Sequence, residues 1–308
     1  MPSRAQIEAA AARLAPHIRH TPVLPLHPDE LGCPATLKLE FLQHTGSFKA
    51  RGAFNTLLTA AIPAAGVAAA SGGNHGAAVA YAAQHLGHAA AIFVPASAPA
   101  TKLDRIRSYG ATVTIQGRAY LDALAACQAH QAATGAMGIH AYDQDSVLAG
   151  QGTIGREFET DAPDLTHILV AVGGGGLIGG IAAWYAGSGT EIVAVEPIAC
   201  PTLHAALAAG HPVPVTVGGH AADSLGAGIA GALTLGIALA TGMHSVLVPD
   251  TAIREAQDWL WTRLRIVSEP GGAAALAALR CGAWTPPPNA RVGILLCGAN
   301  TDAIRVSF

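Results

Sequence analysis

Residues 168–178 read Ile-Leu-Val-Ala-Val-Gly-Gly-Gly-Gly-Leu-Ile, an apolar run that passes through four glycines into a second apolar run. A short apolar run that ends in glycine is typical of a strand buried on both faces. The stretch 168–186 is also the nearest candidate for a membrane span. However, it holds six glycines within Gly173–Gly180, which favours a strand, a loop and a helix.

Similar units lie on both sides of this segment. Strands are predicted over 36–41, 67–70, 91–94, 111–115, 192–195, 245–248 and 292–296, and helices over 3–14, 76–86, 101–109, 119–133, 153–158, 177–185, 253–264 and 272–279. Such alternation predicts an α/β protein with mostly parallel sheets covered by helices. Two series of units predict two lobes with a cleft between them. We expect a large domain of residues 1–65 and 144–308 and a small domain of residues 66–143.

The composition restricts the possible partners and locations. Only 12% of the 308 residues are charged, the net charge is −3, and no basic cluster occurs. These values argue against a nucleic-acid or anionic-membrane surface, and the low charge favours a homo-oligomer, which we expect to be a dimer. The five cysteines lie far apart, and the histidines lack metal-ligand spacing, so no disulfide framework or metal site is predicted. The first residues show no apolar signal core, so we expect a cytoplasmic protein.

Thr45–Gly52 contains a lysine, Lys49, among mostly small, polar or aromatic residues. An ammonium group in such a pocket loses solvation, which lowers its pKa and frees its lone pair for attack on a carbonyl. Lys49 is therefore a candidate for a Schiff base, for example with pyridoxal phosphate. The alternative is a surface lysine near the start of a helix.

Two glycine-rich turns are candidates for binding anions. Ser71–Gly76 and Gly173–Gly176 each follow a predicted strand and precede a helix, where backbone N–H groups attract a carboxylate or phosphate. The second turn also fits a dinucleotide fingerprint, because Glu196 ends the next strand about 20 residues later. Taken alone, this region fits an NAD site as well as it fits a phosphate site.

Two further segments place a polar side chain directly after an apolar stretch. Cys297 ends a predicted strand, where its thiol could bond a heterocyclic nitrogen or could be a buried core residue. Ser268–Gly272 has the pattern of a helix cap.

The order of these motifs resembles that of a known family. The chain carries, in sequence, S-F-K-x-R-G at 47–52, S-G-G-N-H-G at 71–76, G-G-G-G at 173–176, S-E-P-G-G at 268–272 and C-G-A-N at 297–300. This set resembles the serine/threonine dehydratases, pyridoxal-phosphate (PLP) enzymes of the tryptophan-synthase-β-like fold. The likeness extends from about residue 21 to residue 300 and implies that PLP lies in the cleft between the lobes.

The resemblance implies a role for each matching residue. Lys49 would hold PLP covalently and act as the catalytic residue, with Phe48 packed beside the cofactor. Asn74 would bind the ring's phenolic oxygen, and Cys297 would face the pyridine nitrogen. The phosphate would be bound by Gly173, Gly174, Gly175 and Gly176, and the substrate carboxylate by Ser71, Gly72, Gly73, Asn74 and His75.

The implied reaction is the dehydration of L-threonine or L-serine to a 2-oxo acid and ammonia. Serine racemases of the family carry a serine where this chain has Gly72, which favours dehydration over racemisation. Metal-binding relatives add an acid shortly after the residue that matches Glu196, whereas this chain has Cys200, Pro201 and Thr202 there. We also expect no regulatory domain beyond Asn300. The alternatives are a PLP-dependent dehydratase of another β-hydroxy amino acid, a serine racemase, an NAD-dependent oxidoreductase, or a non-catalytic protein that binds a small molecule.

Overall fold

Two β-sheets organise the computed structural model, which describes residues 1–302 of the chain. The larger sheet has the order β1-β2-β10-β7-β8-β9. Its strands are β1 (Val23–Leu26), β2 (Ala35–Lys38), β7 (His167–Ala171), β8 (Glu191–Pro197), β9 (His244–Val248) and β10 (Val292–Leu295). All neighbours in this sheet are parallel except β1 and β2, which pair antiparallel with Val23 opposite Lys38.

The smaller sheet is parallel throughout and has the order β5-β4-β3-β6. Its strands are β3 (Val67–Ala70), β4 (Ala90–Val94), β5 (Thr112–Ile115) and β6 (Met137–Gly138). All four strands lie within the segment predicted to form a small domain. This distribution supports, as a proposal, the division of the chain into residues 66–143 and the remainder.

Thirteen α-helices connect and cover the strands of residues 1–302. They are α1 (Arg4–Leu14), α2 (Pro28–Leu31), α3 (Lys49–Thr59), α4 (Asn74–His85), α5 (Ala100–Ser108), α6 (Tyr120–Thr134), α7 (Asp145–Asp161), α8 (Gly176–Tyr185), α9 (Thr202–Ala209), α10 (Ala222–Leu225), α11 (Ala232–Thr241), α12 (Asp250–Trp259) and α13 (Pro270–Arg280). No helix in the described part of the chain is long and apolar enough to span a membrane.

The core explains why these segments form strands and helices. Every residue of β7 is buried, as expected for a central parallel strand with both faces covered. Helix α13 is buried continuously from Gly271 to Ala278. Its glycines and alanines allow its backbone to pack closely on the larger sheet, and it brings the residue before it, Glu269, to the end of β10. The predicted α/β architecture with two helix-covered sheets is confirmed.

Several boundaries differ from the prediction. The strand expected over 36–41 ends at Lys38, and Glu40–Leu42 forms a 3₁₀ turn instead. The turn forms because the Glu40 carboxylate is drawn inward to Arg51, with a distance of 2.6 Å between Oε1 and Nε. The helix predicted over 153–158 extends over Asp145–Asp161. Strands β1 and β6 and helices α9 and α11 are among the elements that were not predicted.

Candidate active site

Lys49 is the first residue of α3, at the end of the larger sheet. The chain reaches it through a turn in which Thr45 has a left-handed backbone, with φ of 61°. The N–H of Phe48 then donates to the carbonyl of Cys297 at 3.1 Å, so this segment joins the residues that follow β10. Because most of α3 from Ala50 to Leu57 is buried, Lys49 has a fixed backbone position.

The amine of Lys49 lies inside the protein rather than at its surface. Its Nζ donates to the carbonyl of Ala141 at 2.7 Å and lies 5.0 Å from the ring centre of Phe48. Loss of solvation lowers the pKa of Lys49 to about 8, although Cys297 and Glu269 oppose the shift. About a tenth of the amine is therefore uncharged and nucleophilic at pH 7, far more than for a solvated lysine.

The tetraglycine segment forms the turn between β7 and α8. Gly175 has φ of 98°, which a residue with a side chain rarely adopts. No side chain caps the start of α8, so the amides of its first turn remain available to an anion. A Cβ atom at Gly174 would lie 2.2 Å from the ring of Tyr142, so glycine is required there.

Glu196 does not face this turn, contrary to the dinucleotide alternative. Its carboxylate accepts hydrogen bonds from the N–H groups of Leu203 and His204, both at 2.8 Å, and from Oγ of Ser245 at 2.6 Å. The carboxylate thus caps α9 and is fully buried. Since protein donors already satisfy it, Glu196 is not available to a ribose.

The Ser71–His75 segment links β3 to the start of α4. The hydroxyl of Ser71 accepts from the N–H of Gly73 at 3.2 Å. The side chain of His75 turns away and donates from Nε2 to the carbonyl of Ile139 at 3.0 Å. Burial, with a further effect of Lys49, lowers the pKa of His75 to about 3, so its ring is neutral. His75 could therefore contact a substrate carboxylate through its backbone N–H but not through its ring.

Cys297 is buried at the end of β10. Its thiol donates to the carbonyl of Gly271 at 3.5 Å. Burial raises the pKa of the thiol far above its usual range, and the charge of Glu269 adds to this effect. The group is therefore a neutral thiol at physiological pH.

Glu269 is a functional candidate that the sequence analysis missed. It occupies the residue before α13, where a cap was predicted, but its side chain makes no capping bond. Instead, Oε1 accepts from Nδ2 of Asn74 at 2.7 Å. Burial raises the pKa of Glu269 to about 7, against the effect of this hydrogen bond. The signal in the sequence was a carboxylate within an otherwise uncharged segment.

One cavity brings most of the predicted site residues together. It is lined by Phe48, Lys49, Tyr142, Ala171, Gly173, Gly174, Gly175, Gly176, Leu177, Ser224, Leu225, Glu269 and Cys297. Asn74 adjoins this cavity through Glu269, whereas Ser71, Gly72, Gly73 and His75 are not among its lining residues. Six lining residues were not predicted as site residues: Tyr142, Ala171, Leu177, Ser224, Leu225 and Glu269.

The cavity thus offers three different chemical groups. It has an amine that is reactive toward an aldehyde, uncapped helix amides that suit a phosphate, and a neutral thiol that suits an uncharged ring nitrogen. These groups fit the three functional parts of PLP.

Comparisons with known proteins agree with this geometry. A family model described as "Pyridoxal-phosphate dependent enzyme" matches residues 14–298. The L-threonine ammonia-lyase of Geobacter sulfurreducens is 38% identical over 307 residues, which cover 98% of this chain and 76% of that protein.

Two solved structures share the fold over nearly the whole chain. A threonine deaminase from T.th. has a TM-score of 0.92 and 37% identity, and the match covers 99% of this chain and 100% of that one. Maize serine racemase has a TM-score of 0.93 and 32% identity, and the match covers 98% of this chain and 94% of that one. The resemblance predicted from the order of the motifs is confirmed, and the chain belongs to the family of pyridoxal-phosphate dependent enzymes.

Proposed function

We propose that this protein is a PLP-dependent ammonia-lyase that converts L-threonine, L-serine or both to a 2-oxo acid and ammonia. The observation that carries the proposal is the partly neutral amine of Lys49, which shares one cavity with the tetraglycine turn and the neutral thiol of Cys297. The names of the Geobacter relative and of the T.th. structure support threonine as a substrate.

The residues that would hold PLP follow from the groups in the cavity. Lys49 would bind the aldehyde carbon, the turn Gly173–Gly176 the phosphate and Cys297 the ring nitrogen, with Phe48 against the ring. PLP supplies an electron-withdrawing group that acidifies the α-hydrogen of a bound amino acid. The turn binds without a charged side chain, because its N–H groups lie at the start of α8.

Lys49 would also move the proton of the reaction. A free amine with a pKa of about 8 would accept the α-proton near neutral pH. For dehydration, the β-hydroxyl would take up a proton as its bond to the β-carbon breaks and would leave as water. Cys297 cannot supply a negative charge to the ring nitrogen, because its thiol stays neutral. A neutral partner stabilises negative charge on the ring less than a carboxylate does, which favours prompt loss of the β-hydroxyl.

The substrate carboxylate would bind at the start of α4. The segment Ser71–His75 offers backbone N–H groups and the hydroxyl of Ser71 there, and α4 carries no side-chain cap. The similarity to maize serine racemase favours racemisation as the second candidate. Gly72, which has no side chain to hold a proton for the opposite face of the substrate, argues for dehydration.

Mass spectrometry after borohydride reduction tests the first step of the proposal. We expect one PLP on Lys49 in the wild type and none in Lys49→Ala, which should be colourless and inactive. Keto-acid release from L-threonine, L-serine and larger β-hydroxy amino acids then identifies the substrate. PLP on a different residue, or turnover by Lys49→Ala, would refute the proposal.

The oligomeric state and location are parts of the same proposal. Exposed apolar side chains such as Ile198, Leu239 and Trp261 support burial against a second copy of the chain. Light scattering during gel filtration should give a dimer, and a monomer would contradict it. A cytoplasmic location stays a prediction, which fractionation of the source cells would test.

A further inference from the structure

Asn74 belongs to a continuous chain of hydrogen bonds that runs from Arg105, beside the smaller sheet, to Glu269, beside the larger one. Arg105 of α5 donates to Oδ1 of Asn300. Asn300 in turn donates from Nδ2 to Oδ1 of Asn74 at 2.6 Å and to the carbonyl of Thr45 at 2.8 Å. Asn74 then donates from Nδ2 to Glu269 at 2.7 Å.

The two ends of this chain fix its direction. A guanidinium group can only donate hydrogen bonds, which is sufficient to fix the direction, and the Glu269 carboxyl group can only accept them in its ionised form, which prevails above its pKa of about 7. Arg105 therefore requires the oxygen of the Asn300 amide to face it, so the nitrogen of that amide faces Asn74. Glu269 requires the nitrogen of Asn74 to face it, which agrees with the orientation that Asn300 imposes.

This arrangement leaves one donor unused at the cavity. The Asn74 amide has two N–H groups, and Glu269 takes one of them. The second has no acceptor within residues 1–302. A single N–H held in a fixed direction suits an anionic oxygen, whereas a freely rotating amide would present its own oxygen half of the time.

We infer that Arg105, Asn300 and Glu269 are positioning residues that set the amide orientation of Asn74, so that its free N–H points to an oxygen of the bound cofactor ring. The inference rests on the proposed function, in which Asn74 binds that oxygen. Arg105 lies on α5, so a residue on a helix beside the smaller sheet controls a contact made in the cavity.

Asn300→Asp is the most specific test. Aspartate has nearly the shape of asparagine, but an acceptor oxygen replaces the donor nitrogen. The introduced carboxylate would pair with Arg105, so the unfolding temperature should stay close to that of the wild type. However, this carboxylate cannot donate to Oδ1 of Asn74, so the orientation of Asn74 is lost. We expect the Kd of PLP for the apoprotein to rise about tenfold, the effect of one lost hydrogen bond, and the absorption maximum of the bound cofactor to shift.

Two further variants separate orientation from charge. Asn300→Asp adds a negative charge near the site, and Glu269→Met removes a carboxyl group together with the acceptor for Asn74. If charge alone mattered, the two variants would change the Kd in opposite directions, whereas lost orientation weakens binding in both. Arg105→Met should also weaken binding. Its matched control is Arg107→Met, which removes an exposed arginine of the same helix that pairs with Asp104 and should leave the Kd and the spectrum unchanged.

The outcomes distinguish this inference from the function on which it rests. A wild type that carries PLP on Lys49, with wild-type spectra and Kd values in Asn300→Asp and Arg105→Met, overturns the inference alone. Opposite shifts in Asn300→Asp and Glu269→Met also overturn it. A wild type that binds no PLP at Lys49 overturns both.

Discussion

Arg51 and Glu157 form a two-point ion pair inside the protein, with distances of 2.7 and 2.8 Å between the guanidinium nitrogens and the carboxylate oxygens. Glu40 binds the same guanidinium at 2.6 and 3.0 Å. Arg51 lies two residues after Lys49 on α3 and is fully buried. The two carboxylates therefore fix the start of the helix that carries the reactive amine.

Arg51→Met should strongly destabilise the protein. The change removes the guanidinium group from two buried carboxylates, of which Glu157 keeps a pair with Lys38 at 3.0 Å and Glu40 loses its cationic partner. Breaking a buried pair costs about 3–5 kcal/mol. The loss should appear as a large decrease in the urea midpoint of the apoprotein. Arg156→Met, which removes an exposed pair with Glu8, is the control and should change the midpoint little. Equal midpoints for the two variants would contradict this account of Arg51.

Gly174→Ala should impair cofactor binding through a clash. The added Cβ would lie 2.2 Å from the ring of Tyr142, so the turn or the ring must move. We expect at least a tenfold rise in the Kd of PLP, partly restored by the double variant Gly174→Ala, Tyr142→Ala. Gly236→Ala is the control, because its Cβ would meet no atom within 4 Å. An unchanged Kd in Gly174→Ala would show that the turn is not the phosphate site.

The apoprotein should react with aldehydes at a lower pH than ordinary lysines do. Because the pKa of Lys49 is lowered to about 8, the rate of PLP attachment should rise with pH, with its midpoint near 8, and level off at higher pH. Glu269→Gln removes a negative charge that favours the ammonium form, so the midpoint should move to lower pH. The measurement is the rate of borohydride-trapped PLP at Lys49 as a function of pH. A midpoint near 10 in the wild type would contradict the burial of the amine.

Stability should depend on pH through Glu269. Its pKa is raised to about 7 in the folded protein, whereas an unfolded glutamate titrates near 4.5. Between these values only the folded state holds the proton, so Glu269 makes the free energy of unfolding fall as pH rises through this window. His75 has the opposite effect below its unfolded pKa of 6.5, because its lowered pKa leaves only the unfolded state protonated there. The decrease due to Glu269 is of the order of 3 kcal/mol at most.

Unfolding midpoints of the apoprotein at pH 5, 6, 7 and 8 check this dependence. Relative to the wild type, Glu269→Gln should gain stability as pH rises from 5 to 8, whereas the control Glu8→Gln, which removes an exposed carboxylate, should keep the slope of the wild type. A slope that is the same in both variants would assign the effect to other groups.

Removal of divalent cations should leave the unfolding temperature unchanged. The carboxylate of Glu196 already accepts from Leu203, His204 and Ser245, so protein donors occupy the oxygens that a cation would need. A decrease in the unfolding temperature with EDTA, reversed by magnesium, would contradict this assignment.

The sequence predicted the parts of the site whose geometry is local. The turn at Gly173–Gly176 and the helix after it could be predicted, because the apolar strand, the run of glycines and the second apolar run follow one another directly in the sequence. The residues next to Lys49 in the sequence could suggest a reactive amine. The pKa of that amine, however, depends on burial by residues far away in the chain. The motif order, rather than any one motif, identified the family.

Other features depend on contacts that no local pattern encodes. Leu37, Leu39 and Phe41 alternate as in a strand, yet the strand ends at Lys38 because Arg51 binds Glu40. Glu269 has the position of a helix cap, and only the approach of Asn74 from the smaller sheet turns its carboxyl group into the cavity.

The wide separation of the site residues along the chain also bears on how the enzyme matures in a cell. Lys49, Gly176, Glu269 and Cys297 meet only after β10 has joined the strands made before it. A nascent or damaged chain that lacks this last strand cannot retain the vitamin-derived group. A molecule that has bound this group is therefore one whose fold is complete. Because a ligand that binds only the folded state stabilises it, binding protects these molecules selectively from proteolysis.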